Sequence, residues 1–286
     1  MTAVAGFESL PLQRTAVGEL VFHHVSEGEG AALVFVHGVL GDWRSWAPQW
    51  TAFTPQFRCI SYSRRYSVPN GNTGPSPNHS ARIEAQDLQQ LLQAWGAAPA
   101  ILVGSSYGGY TALMLALAQP ALVRALVLAE PPLVCWAHHV PGGAEVRAAF
   151  EREVTWPARL AFEAGDDVRG VQLMTGGIVG GEALARMPPQ ALARRMENAL
   201  SMKRLALSSD EFPAPDLARL QAFDKPTLLL AGEHTPPIHD CCFRALCAAM
   251  PQAEQQRIPD AGHGVARDNP AVFNHRVLDF LQRRLP

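Results

Sequence analysis

Gly104-Ser105-Ser106-Tyr107-Gly108 sets a serine between two glycines in a Gly-x-Ser-x-Gly pattern. Ala100 to Val103, just before it, is a short apolar run that reads as a buried strand. Gly109 to Gln119, just after it, is rich in Ala, Leu and Met and reads as a helix that stops at Pro120. Strand, sharp turn and helix are the context of a nucleophile elbow, in which a strained backbone lifts the serine hydroxyl clear of the sheet. The flanking glycines keep side chains out of neighbouring backbone. A serine hydroxyl is barely ionised at neutral pH. Attack on a carbonyl therefore needs a base within hydrogen-bond reach, and histidine, of which the chain has 10, suits that task.

The elements that must position this serine follow from hydrophobic pattern. Glu19 to Val25, Ala32 to Val36, Phe57 to Ser61, Val123 to Ala129, Thr227 to Ala231 and Glu254 to Ile258 read as further strands. Ala81 to Trp95 and Pro270 to Arg284 read as helices, the second opening on a proline. Strands alternating with helices predict a mostly parallel sheet flanked by helices. From about Pro132 to Phe223 the rhythm breaks. Ala148 to Glu163 and Pro189 to Leu207 look helical, with glycine breaks at Gly176-Gly177 and Gly180-Gly181, and no buried strand stands out. The expected organisation is a core of residues 1–131 and 224–286 with a helical cap of residues 132–223 inserted between two core strands.

Hydrophobic residues make up 48% and charged residues 17% of the 286 residues, and the net charge is −2. Neither the charge nor any long basic run points to a nucleic-acid partner. Met1 to Leu10 shows no leader pattern, and no apolar run approaches the ~20 residues of a membrane span, so a cytoplasmic protein is expected. The five cysteines have no disulfide-framework spacing and read as reduced thiols. His234, His239, Asp240, Cys241 and Cys242 match no metal spacing, so no metal is expected.

The chain resembles the α/β-hydrolases, and the likeness spans nearly its whole length. Four features stand in the family's order: His37-Gly38 after the strand ending at Val36, the Ser106 elbow, the helical insertion, and Asp260-Ala261-Gly262-His263 after the last strand. The resemblance implies Ser106 as nucleophile, His263 as base, and the Val39 and Tyr107 amides as oxyanion donors. It implies no metal or organic cofactor and a small-molecule ester or carbonyl substrate.

The acid departs from the commonest pattern. Many relatives carry Asp in a stretch like Gly-Glu-His-Asp, where this chain has Gly232-Glu233-His234-Thr235. A second family arrangement puts the acid at the end of the strand after the elbow, and Glu130 lies there. Glu130 is the expected acid and Asp240 the rival. Ser63-Arg64-Arg65-Tyr66 puts two arginines near the site. Arg64 is a candidate either for a substrate carboxylate or for pairing with Glu130. His37, Gly38 and Trp136 are further candidates for lining the pocket, with Trp43 and Trp46 beside them. The main expectation is a carboxylic ester hydrolase. A C–C bond hydrolase of β-diketone or ring-cleavage products, and a non-catalytic binding protein on the same scaffold, stay open.

Overall fold

The computed structural model describes residues 6–285. Eight strands form one sheet: β1 (Gln13–Val17), β2 (Leu20–Glu27), β3 (Ala32–Val36), β4 (Arg58–Tyr62), β5 (Ala100–Ser105), β6 (Val123–Ala129), β7 (Thr227–Gly232) and β8 (Glu254–Ile258). Their order is β1-β2-β4-β3-β5-β6-β7-β8. β1–β2 and β2–β4 pair antiparallel, and every later pair is parallel. The expected strands are present within a residue or two. The hairpin strand β1 was not expected, because its residues are largely exposed and carry little apolar pattern.

The central strands are apolar on both faces, as parallel strands between two helical layers must be. In β3, Leu33 and Phe35 enter one core while Val34 and Val36 enter the other. β5 divides in the same way, with Ile101 and Val103 facing opposite to Leu102. Helix α1 (Ala47–Phe53) packs on the first face, and α2 (Ala81–Ala94) and α3 (Tyr107–Ala118) pack on the second.

Between β6 and β7 the described residues contain no strand. They form α4 (Gly143–Phe150), α5 (Trp156–Glu163), α6 (Asp167–Val179), α7 (Gly181–Ala185), α8 (Pro189–Glu197), α9 (Ala199–Ala206) and α10 (Leu217–Ala222). Three helices complete the core: α11 (Pro237–Ala249), α12 (Val265–Asp268) and α13 (Pro270–Arg284). Gly176-Gly177 does not break a helix as expected. Helix α6 runs through both residues and ends at Gly180. A β-carbon at Gly177 would collide with Val154, so this glycine serves close packing rather than a turn. Val154 itself sits in a π-helical turn, Glu151–Thr155, that joins α4 to α5. No helix among the described residues is long and apolar enough to cross a membrane. The expectation about Met1 to Leu10 falls partly outside the described residues.

The loops at the C-terminal ends of β3 and β4 are tied down by charge. Helix α2 buries two acids, Glu84 and Asp87, beside its leucines. Arg64, just past β4, grips Glu84 with Nε–Oε2 at 2.6 Å and Nη2–Oε1 at 2.7 Å. His79 and Thr111 complete the Glu84 shell at 3.0 and 3.1 Å. Arg65 holds Asp87 in the same bidentate way, at 2.8 and 2.6 Å. Burial works against the Glu84 charge, but Arg64 and His79 outweigh it and hold the carboxyl well below the usual carboxylate range.

His37 ties the loop after β3 to the same turn. Its Nε2 accepts the Arg64 amide at 2.9 Å, and its Nδ1 donates to the Gly38 carbonyl at 2.7 Å. Those partners fix one neutral tautomer. Burial, helped by the Arg64 charge, lowers the His37 pKa to about 4.

Two predictions follow from this network. Glu84→Ala leaves the Arg64 guanidinium buried without a counter-charge, at a cost of about 3–5 kcal/mol in urea unfolding, and adding Arg64→Met recovers part of the loss. An unfolded His37 titrates near its ordinary value and a folded one only near 4. Its stabilising contribution is therefore whole above pH 6.5 and falls as pH drops from 6.5 to 4. Urea unfolding at pH 7 and pH 5 should show that loss, with a slope of up to about 1.4 kcal/mol per pH unit from this residue, and His37→Gln should remove its share.

Candidate active site

Ser106 caps the sharp turn between β5 and α3 with φ at 52°, a left-handed conformation that a non-glycine residue adopts at a cost. The Ser106 N–H donates to the Ala129 carbonyl at 2.8 Å, which ties the elbow to the end of β6. A β-carbon at Gly108 would run into the Val36 and His37 carbonyl oxygens, so glycine there lets α3 start hard against the end of β3.

Ser106 Oγ lies 2.9 Å from His263 Nε2. His263 Nδ1 lies 2.6 Å from Glu130 Oε2. Glu130 is 1% exposed and also carries a positive φ of 49° at the end of β6. Its amide donates to the Leu230 carbonyl at 3.0 Å, continuing the β6–β7 ladder. Its carboxylate accepts the Gly232 amide on Oε1 and the Thr235 hydroxyl on Oε2, both at 2.7 Å. Thr235, which stands where many relatives carry the acid, is thus a hydrogen-bond partner of Glu130. Asp240 is turned away, paired with Arg257 and, at 2.9 Å, with Arg244.

The other sequence candidates divide. Val39 and Gly38 line the space in front of Ser106, and Tyr107 lines its inner side. Neither the Val39 nor the Tyr107 N–H meets a backbone acceptor among the described residues. His37 borders the same space, although its ring nitrogens are engaged as described. Arg64 is a correction: at 1% exposure, its guanidinium is enclosed by Glu84 and reaches neither Glu130 nor the site. Trp136 is a second correction. It packs edge-on to His139 in the turn Val134–His139, and it borders neither of the cavities at Ser106. Trp46 does border the outer cavity, whereas Trp43 packs against Phe7.

Two cavities meet at Ser106. The outer cleft, about 430 Å³, runs from the loop after β3 to α6, α8 and α12. The inner pocket is narrow and mostly apolar, with Val134, Phe150, Met174, Met202, Leu205 and Phe212 in its wall. Two polar groups interrupt that wall. Burial raises the Glu211 carboxyl to about 8. His239, from the start of α11, stacks on His263 with ring centroids 3.7 Å apart and planes within 20°. Burial and the neighbouring His263 hold the His239 pKa well below its ordinary value, so it stays neutral. Sequence reasoning considered His239 only as a metal ligand and missed the stack, which joins residues far apart in the chain. Glu130, His239 and His263 have potential ligand atoms within 4.8 Å of one another. The near-parallel rings send their nitrogen lone pairs along parallel directions rather than to a common point, which suits stacking better than coordination.

Comparison with known proteins agrees with this architecture. The family model for the alpha/beta hydrolase fold matches residues 31–270. The sn-1-specific diacylglycerol lipase of Mus musculus is 28% identical over 265 residues, covering 87% of this chain and 80% of the relative. The RutD protein of Klebsiella pneumoniae, a proposed carbamate hydrolase, is 28% identical over 271 residues, covering 90% and 94%. Among solved structures, the enol-lactonase from Burkholderia xenovorans superposes with a TM-score of 0.76 at 18% identity, covering 94% of this chain and 100% of that one. That last likeness speaks to fold alone. The chain belongs to the α/β-hydrolase fold family and is a hydrolase of that type.

Proposed function

We propose that this hydrolase cleaves carboxylic esters of small or medium acyl groups through Ser106, His263 and Glu130. The observation that carries the reading is the unbroken chain of contacts Ser106 Oγ–His263 Nε2–His263 Nδ1–Glu130 Oε2, at 2.9 and 2.6 Å. In this mechanism Ser106 Oγ attacks the ester carbonyl while His263 Nε2 takes its proton. The oxyanion forms against the Val39 and Tyr107 amides, where the positive end of α3 adds to the attraction. Collapse expels the alcohol, which receives the proton from His263, and leaves an acyl group on Ser106. Water, activated by the same histidine, releases the acid. Glu130 orients His263 and stabilises the imidazolium.

Helices α4 to α10 act in this reading as the cap, residues 132–223, whose Phe150, Met174 and Met202 wall the inner side of Ser106. The name of one relative, a diacylglycerol lipase, fits acyl–oxygen cleavage, and the RutD relative is named for carbamates, a neighbouring acyl chemistry. A C–C bond hydrolase would make use of Arg64 and Arg65, and both are engaged by Glu84 and Asp87. A silent binding scaffold would follow from the lack of an acid at Thr235, and the 2.6 Å contact of Glu130 with His263 supports Glu130 in that role instead.

Turnover of short p-nitrophenyl esters and labelling by a fluorophosphonate test the proposal. Ser106→Ala should abolish labelling and lower kcat by roughly 10⁴-fold or more. Glu130→Gln should lower kcat by at least about 10²-fold, because an amide cannot stabilise the imidazolium. Full activity in Glu130→Gln would remove Glu130 from the mechanism.

A further inference from the structure

The outer cleft is lined by four arginines, Arg44, Arg194, Arg195 and Arg267, and by a single acid, Asp42. Three of the arginines have carboxylate partners. Arg44 binds Asp42 and Glu197, Arg194 binds Glu8, and Arg267 binds Asp268. Asp42 is further held by Asn198, so its charge is fully engaged. Arg195 is different. On the last turn of α8, it donates one Nη1 bond, at 3.1 Å, to the Ala191 carbonyl a turn earlier. Among the described residues it has no carboxylate partner. A guanidinium offers five N–H donors in a planar fork, and most of this fork is unused.

We propose that the cleft beside Ser106 recognises an anionic group on the substrate, a carboxylate or a phosphate, and that Arg195 is the residue that binds it. The inference rests on the ester-hydrolase reading of Ser106 and adds a substrate class to it. Burial and the neighbouring Arg267 charge pull the Arg195 pKa down to about 10 against the opposing charge of Asp268, which is itself paired with Arg267, so desolvation and like-charge repulsion weigh on the Arg195 cation. An entering anion relieves both effects, because it brings a counter-charge within hydrogen-bond reach of Arg195 and can accept two parallel N–H bonds. The cavity is shared with Ser106 and His263, so an ester whose carbonyl sits at the serine can extend its charged end toward α8. A neutral substrate leaves the Arg195 charge as it is. A cationic one meets the Arg195 charge, the one in the cleft without a carboxylate partner among the described residues.

The test compares 4-carboxyphenyl acetate and 4-acetoxyphenyl phosphate with the neutral 4-carbamoylphenyl acetate, each rate being divided by its hydroxide-catalysed rate. Benzoate and phenyl phosphate are tested in parallel as competitors of fluorophosphonate labelling. The wild type is expected to favour at least one anionic ester by tenfold or more in kcat/KM, and the matching competitor is expected to slow labelling. The better of the two anions identifies carboxylate or phosphate. Arg195→Gln is expected to reduce that preference tenfold or more and to abolish the competition, while Arg195→Lys keeps part of each. Labelling or turnover with no anion preference in the wild type, or a preference that survives in Arg195→Gln, overturns the inference and leaves the hydrolase reading intact. A wild type that neither labels nor turns over any ester overturns the Ser106 reading itself, and the inference with it.

Discussion

The buried pair of Arg64 and Glu84 is the constraint on which the geometry around Ser106 depends. It joins four pieces of chain from four different elements. Arg64 belongs to the turn after β4, Glu84 to α2, Thr111 to α3, and His37 to the loop after β3. The guanidinium also lies over the Tyr107 ring, 5.2 Å from its centroid, and donates to the His37 carbonyl at 3.3 Å. A buried ion pair seldom adds net stability over an apolar filling, because two charges must be taken out of water. What it does provide is direction. A carboxylate and a guanidinium meet well in few arrangements, whereas apolar side chains tolerate many. The loop that carries Gly38 and Val39 is consequently held at one height above the elbow, which a preorganised pair of amide donors requires.

Backbone strain in the site is concentrated where the sheet can bear it. Ser106 and Glu130 are two of only three non-glycine residues with positive φ among the described residues. Each sits at the C-terminal end of a central parallel strand and is stitched sideways by a backbone hydrogen bond, Ser106 to Ala129 and Glu130 to Leu230. Conformations that cost of order 1–3 kcal/mol persist only where their surroundings over-determine them. Here the surroundings are three adjacent strands whose side chains fill both cores. The proposed nucleophile and acid are thereby fixed relative to one another by strand pairing, and only His263 approaches on a loop.

Much of this was legible in the sequence, for identifiable reasons. Strands such as Ala32–Val36 and Val123–Ala129 are apolar runs bounded by polar turns, so they were visible one at a time. The elbow carries its own local signature. Glu130 could be placed because the end of a strand is a position along the chain as well as in space. What sequence did not reveal was pairing at a distance. Arg64 looked available because nothing local says that Glu84, on another element, will claim it. Thr235 looked like a loss because its hydrogen bond reaches back to Glu130 across the sheet. Gly176-Gly177 looked like a break because close packing against Val154 leaves no local mark. Arg195 had no feature at all until the fold set it on the wall of the cleft with no carboxylate partner among the described residues.

Placing the proposed acid at the end of β6 rather than in the turn after β7 has a consequence for how such a protein can diverge. When the acid resides in the β7–α11 connection, that segment is conscripted, and any change in its length or course risks misaligning the histidine. Here the end of β7 contributes an amide, at Gly232, and the connection a threonine hydroxyl, at Thr235, before leading into the His239 that faces the inner pocket. Thr235 and His239 are held by their contacts to Glu130 and His263, and the positions between them are freer to vary. Substitutions there can adjust the rim of the site while Ser106, Glu130 and His263 keep their places. A lineage built this way can explore new substrates through one loop without first having to rebuild its chemistry.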